Sequence, residues 1–159
     1  MNFHKKKSFI LISMLLISLV ILSGCGGGSS STETENATLK AMSTVNSALK
    51  EFEQENTDGV KEYAHNDTFR HVSASTGDEL TLNTYLSIYD QIFAAGAEYD
   101  RMDLEDTTTE LVASDEVKIT GVAKLTGTDV NGDPFDESFS VEFRVKNFGG
   151  TWLITKMVD

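Results

Sequence analysis

The sequence predicts an α+β domain in which leading helices pack on a following antiparallel sheet, and three observations carry that expectation. Apolar residues recur at three- and four-residue steps through 39–52 and 82–93, the spacing of a helix with one buried stripe. From 117 to 145 the period falls to two, with apolar and polar side chains alternating as on a half-buried strand. Between two such alternating runs stands Asn131-Gly132, a strong short hairpin signal. Helices grouped before strands, rather than interleaved with them, define the α+β class.

Leu39, Met42, Val45, Leu49 and Phe52 predict a first helix of about five turns, capped at Asn36 or Thr38 and ending near Asn56-Thr57-Asp58-Gly59. A short second helix is expected over 58–64, with Val60 and Tyr63 inward. Phe69 and Val72 suggest a brief extended piece before a polar loop at 73–79. Leu82, Leu86, Tyr89 and Phe93 predict a third helix, with Gly96 just past its end. Residues 99–112 read as a long, partly exposed strand, and Val117, Ile119, Ala123 and Leu125 mark the next. After the 129–133 turn, Phe135, Phe139, Val141, Phe143 and Val145 share one face of a strand, and 151–158 with Trp152 and Ile154 forms the last. Asn131-Gly132 predicts a type I′ turn with positive φ at both residues. Pro134 sits beside it, where a missing ladder donor does least harm.

The start of the chain is unlike the rest. Lys5, Lys6 and Lys7 precede an uncharged apolar run over 8–23, which ends in Leu22-Ser23-Gly24-Cys25. This resembles the bacterial lipoprotein signal with its lipobox. The resemblance implies cleavage after residue 24, a diacylglycerol thioether and palmitate-type acylation at Cys25, and an extracytoplasmic protein anchored in the cell envelope. Gly26 stands where Gram-negative bacteria use Asp for inner-membrane retention, so the outer membrane is favoured if there is one. Two or three acyl chains make a lasting anchor where one is marginal. Removing residues 1–24 leaves 135 of the 159 residues and takes away three of 13 cations but none of 25 carboxylates, for a formal charge of −15. So acidic a chain repels nucleic acid. Residues 26–36 hold Gly, Ser, Thr, Glu and Asn without an apolar side chain and read as a flexible tether.

The order helix, short helix, small strand, helix and long antiparallel strands resembles the nuclear transport factor 2-like (cystatin-like) superfamily, with its ketosteroid isomerase and SnoaL-like relatives. Two loose motifs support it: Gly150-Thr151-Trp152-Leu153-Ile154 near the end, and Tyr63-Ala64-His65-Asn66-Asp67-Thr68-Phe69 after the short helix. The resemblance covers 37–159. It implies a curved sheet forming a cone-like half barrel around a helix, and a superfamily that includes enzymes, ligand-binding proteins and association domains. It also implies that His71 lies near the base position of the isomerases, so that His71, Asp67 and Tyr89, with Tyr85, form a candidate proton-transfer group. Against this, His65 and His71 also suit a loop edge, and the tyrosines suit a core. Phe69, Tyr85, Phe93, Phe143 and Trp152 are candidate pocket walls and equally candidate core.

No metal or cofactor is called for. Asp129-x-Asn131-x-Asp133 has the spacing that opens a calcium loop, but Pro134 stands where glycine should follow and Ser140 where glutamate should close it. The only cysteine is the lipidation candidate, and no serine sits in a nucleophile elbow. The expected protein is a lipid-anchored envelope domain, non-catalytic, that binds an apolar small ligand or associates with a second copy or an envelope protein. The alternative is a cofactor-independent isomerase, dehydratase or hydrolase.

Overall fold

The computed structural model describes residues 30–159. The signal segment, Cys25 and the glycines after it lie outside the described residues. The elements run α1 (Ser30–Glu53), α2 (Thr57–Val60), β1 (Arg70–Val72), β2 (Glu79–Thr81), α3 (Leu82–Ala94), β3 (Glu98–Ala113), β4 (Glu116–Thr128), β5 (Pro134–Phe148) and β6 (Thr151–Val158). The strands form one sheet in the order β2-β1-β6-β5-β4-β3. All neighbours are antiparallel except β1 and β6, which run parallel. The sheet curves without closing, and α1 and α3 cover its inner face, so the α+β cone is as expected.

α1 departs from expectation in two ways. It starts at Ser30, so the helix takes in seven residues of the expected tether, and Thr38 is no cap: its hydroxyl donates to the carbonyls of Thr34 and Glu35 within the helix. No Gly or Pro interrupts 30–36, Glu33 complements the helix dipole, and extending a formed helix costs little. The buried stripe is also rotated. Ala41, Val45, Ala48 and Phe52 face the core, while Leu39 is 64% exposed. The small side chains of Ala41 and Ala48 let the helix lie close on the sheet, and the Thr44 hydroxyl donates to Trp152 O on β6 at 3.2 Å.

The end of α1 is a Schellman arrangement. Asn56 N donates to Glu51 O and Glu55 N to Phe52 O, with Glu55 at φ +57°. α2 is a single turn, shorter than expected, capped by the Asn56 side chain accepting from Gly59 N. β2 begins at Glu79, the last residue of the expected loop, and takes in Leu80 and Thr81, for which the sequence predicts no element. Its exposed Glu79 and Thr81 give no apolar alternation, and it forms only because β1 lies beside it.

β3 carries a bulge between Glu105 and Thr108, with Asp106 at φ +49°. Gly121 lies opposite, where a Cβ would stand 2.8 Å from Glu105 O, so the strands approach this closely only over a glycine. The β4–β5 connection is not a type I′ turn. It is a five-residue loop in which Gly132 alone has positive φ, at 81°. The Asp129 carboxylate accepts from the amides of Asn131 and Asp133, an Asx arrangement that competes successfully with the two-residue turn. Those bonds hold the Asp129 carboxyl below its usual range and engage the oxygens that a calcium reading would need.

Candidate functional site

The cone encloses a cavity of about 50 Å³ between α1, α3 and the inner sheet face. Phe69 before β1, Tyr85 and Tyr89 on α3, and Phe143 on β5 contribute to its wall, together with Phe52, Met102 and Met157. None of the wall residues is Asp, Glu, His, Lys or Arg. The polar atoms there are the hydroxyls of Tyr85 and Tyr89, 3.5 Å apart, with Met157 Sδ 3.5 Å from the former. Burial pushes the Tyr85 hydroxyl well above the ordinary tyrosine range, and Tyr89 beside it adds to the effect. Tyr89 is raised too, again by burial. Both are therefore fixed as neutral hydrogen-bonding groups at physiological pH.

Phe93 and Trp152 lie outside this wall. Phe93 packs at the rim, with ring centroids 6.0 Å from Tyr89 and 5.8 Å from Tyr99, and Tyr99 in turn meets Phe135 at 5.5 Å. These rings pack on one another beside the first residues of β3 and β5, and burial pushes the Tyr99 hydroxyl up to about 12. Trp152 sits beneath α1, beside a shallow groove with Lys40, Thr44, Tyr63 and Gly150.

Of the proton-transfer candidates, His71, Tyr85 and Tyr89 lie in ring contact one after the other, and Asp67 lies apart. Asp67 is exposed, with its carbonyl accepting from the Arg70 guanidinium. His65 stacks on Phe148, centroids 4.1 Å apart. His71 points inward from β1 and is 9% exposed, its ring 4.8 Å from that of Tyr85. Its Nε2 lies 2.8 Å from Asp159 Oδ2, and its Nδ1 is buried without a hydrogen-bond partner among the described residues. The parallel pairing of β1 with β6 creates this pair, setting His71 against Met157 and leading the chain on to Asp159. No sequence pattern could have pointed to Asp159, because the two residues are 88 positions apart and nothing local announces a parallel neighbour.

Charge is distributed unequally along the sheet. Towards the β4–β5 loop, Glu98, Asp100, Asp103, Asp129, Asp133, Asp136 and Glu137 stand against only Arg101 and Lys124. Towards the β3–β4 turn the charges pair off: Lys118 with Glu110, Arg144 with Glu116 and Glu142, Lys146 with Asp115.

No family model matches the chain, and no curated protein matches it in sequence. Solved structures do. A nuclear transport factor 2-like protein from Cytophaga hutchinsonii aligns with TM-score 0.61 and 14% identity, over 74% of this chain and 91% of that one. Hexachlorocyclohexane dehydrochlorinase LinA-type3 from Novosphingobium barchaimii aligns with TM-score 0.69 and 12% identity, over 81% and 88%. The association domain of CaMKII from C. elegans aligns with TM-score 0.61 and 10% identity, over 79% and 97%. The described residues thus have the nuclear transport factor 2-like fold.

Proposed function

We propose that this protein is an extracytoplasmic domain anchored in a bacterial envelope by lipid on Cys25, and that it acts by association rather than by catalysis in its cone. The observation that carries the second part is the cavity. At about 50 Å³ it holds little more than ordered water, against ~300–1,000 Å³ for pockets that take drug-sized ligands. Its wall offers no acid or base that ionises near neutrality. The structural likeness to an association domain supports the same reading. For the anchor, the support is the basic start, the apolar run and Leu22-Ser23-Gly24-Cys25.

Two measurements test it. In cells, Cys25→Ser should release the protein from the membrane fraction and remove the mass of the acyl groups; unchanged retention and mass would refute the anchor. Light scattering on the purified protein, with cross-linking in cells, should find complexes that survive a cavity-filling Ala123→Leu change. A species that stays monomeric and uncross-linked under both would refute association.

One observation favours a second reading, a cofactor-independent lyase, isomerase or hydrolase. The Asp159 carboxylate orients His71 through Nε2, which leaves Nδ1 as the free basic atom of the ring. A turnover lost equally in His71→Ala and Asp159→Asn, yet retained in Tyr89→Phe, would establish this reading over the first.

A further inference from the structure

From the start of α1 and the charge distribution, we infer that the domain stands on its membrane with the β3–β4 and β5–β6 turns down and the β4–β5 loop and cone rim facing away. This rests on the anchor proposed above. Four residues separate Cys25 from Ser30, so the five Cα-to-Cα steps between them span at most about 18 Å. From Ser30 the chain is helical, and Ala37 is the first apolar α1 residue packed against the core. The first seven residues of α1 are therefore a stem about 10 Å long, not part of a flexible tether.

The direction of that stem is set by its contacts. The far end of α1 lies by β3, where Glu53 Oε2 accepts from Met102 N at 3.4 Å. Moving back along the helix, Thr44 bonds Trp152 O, and Lys40 and Thr44 flank the groove with Gly150 and Thr151. Continuing to Ser30 carries the stem past the β5–β6 turn. Asn147 N donates to Asp115 O at 2.7 Å, so the β3–β4 turn lies at that same end.

Electrostatics points the same way without using the stem. On the sheet, the charges near these two turns are paired with one another, with Glu33, Glu35 and Glu62 the acidic residues that α1 and the α2–β1 segment add at that end, whereas the β4–β5 end carries seven carboxylates against two cations. Anionic headgroups repel the acidic end within a Debye length and tolerate the balanced one. A stem alone would bring one end near the membrane; the charge pattern keeps the domain from tipping over.

Trp152, the only tryptophan, lies at the end assigned to the membrane and is its own reporter. The test is energy transfer from tryptophan to dansyl-phosphatidylethanolamine in vesicles of phosphatidylcholine and phosphatidylglycerol bearing the lipidated protein. The comparison is the Trp152→Phe/Asn131→Trp double variant, whose tryptophan sits beyond the other end of β5, up to about 50 Å away along the strand. Transfer in the native protein should exceed that in the double variant at least threefold, and replacing residues 30–36 by Gly and Ser should cut that ratio by half or more. Equal or reversed transfer would overturn the orientation, and a ratio indifferent to the replacement would overturn the role of the stem. A second preparation, residues 25–159 coupled through Cys25 to a maleimide lipid, retains the whole core and reads orientation independently of cellular lipidation. If the cellular protein carries no lipid while the coupled one still shows the ratio, the anchor reading fails and the geometry stands.

Discussion

Glu55 shows how a single residue can hold a strained turn so that the next helix is capped. It sits in the left-handed region at the end of α1, where a side chain costs roughly 1–2 kcal/mol and glycine is the usual occupant. The two amide bonds of the Schellman arrangement oppose that cost and deliver Asn56 to cap α2. Glu55→Gly should therefore raise stability by about 0.5–1 kcal/mol, measured by urea unfolding, because relief of strain exceeds the extra chain entropy. His71 stands in a different balance. Its Asp159 partner arrives from the other end of the sequence, whereas local spacing offers Asp67, four positions away, whose side chain is exposed. Local spacing identifies a face; it cannot identify a neighbour supplied by a distant strand.

At the scale of elements, legibility depends on how much of the signal is periodic. The inward residues Val117, Ile119, Ala123 and Leu125 of β4 and Val141, Phe143 and Val145 of β5 are buried as their alternation predicts. Three-residue β2 has no period to read, and the five-residue β4–β5 loop is hidden because Asn-Gly is shared by two turn geometries, decided by the Asp129 side chain. α1 is the instructive middle case. Steps of three and four residues fit several stripes, and alanine is too weakly apolar to stand out, although Ala41 and Ala48 mark the true one. The two stripes differ in a measurable way. Phe52, shared by both, should cost about 3–5 kcal/mol on truncation to alanine. Leu39→Ala should change stability by less than about 0.5 kcal/mol, as for an exposed site. Equal losses in thermal or chemical unfolding would restore the stripe read from the sequence.

For the molecule as a whole, the acidic surface and the closed aromatic interior set opposite limits. The outside is dominated by carboxylates; the inside contains hydroxyls that must stay protonated. Burial raises Tyr85 well above its ordinary value, raises Tyr89, and brings Tyr99 to about 12. In the unfolded chain these phenols ionise near pH 10, so between about pH 10 and 12 the native state binds more protons than the unfolded one. Linkage then makes stability fall as pH rises through that window, and leaves it unaffected by these groups below it. Alkaline unfolding followed by circular dichroism, together with tyrosinate absorbance, should show the three phenols ionising in step with loss of structure. Tyr99→Phe should weaken the alkaline dependence, since it removes one of the three titrating groups while keeping the ring that packs on Phe93 and Phe135. Ionisation of all three at about pH 10 in a still-folded protein would mean that water reaches the cone freely. The closed cavity, and with it the case for association over catalysis, would then have to be abandoned.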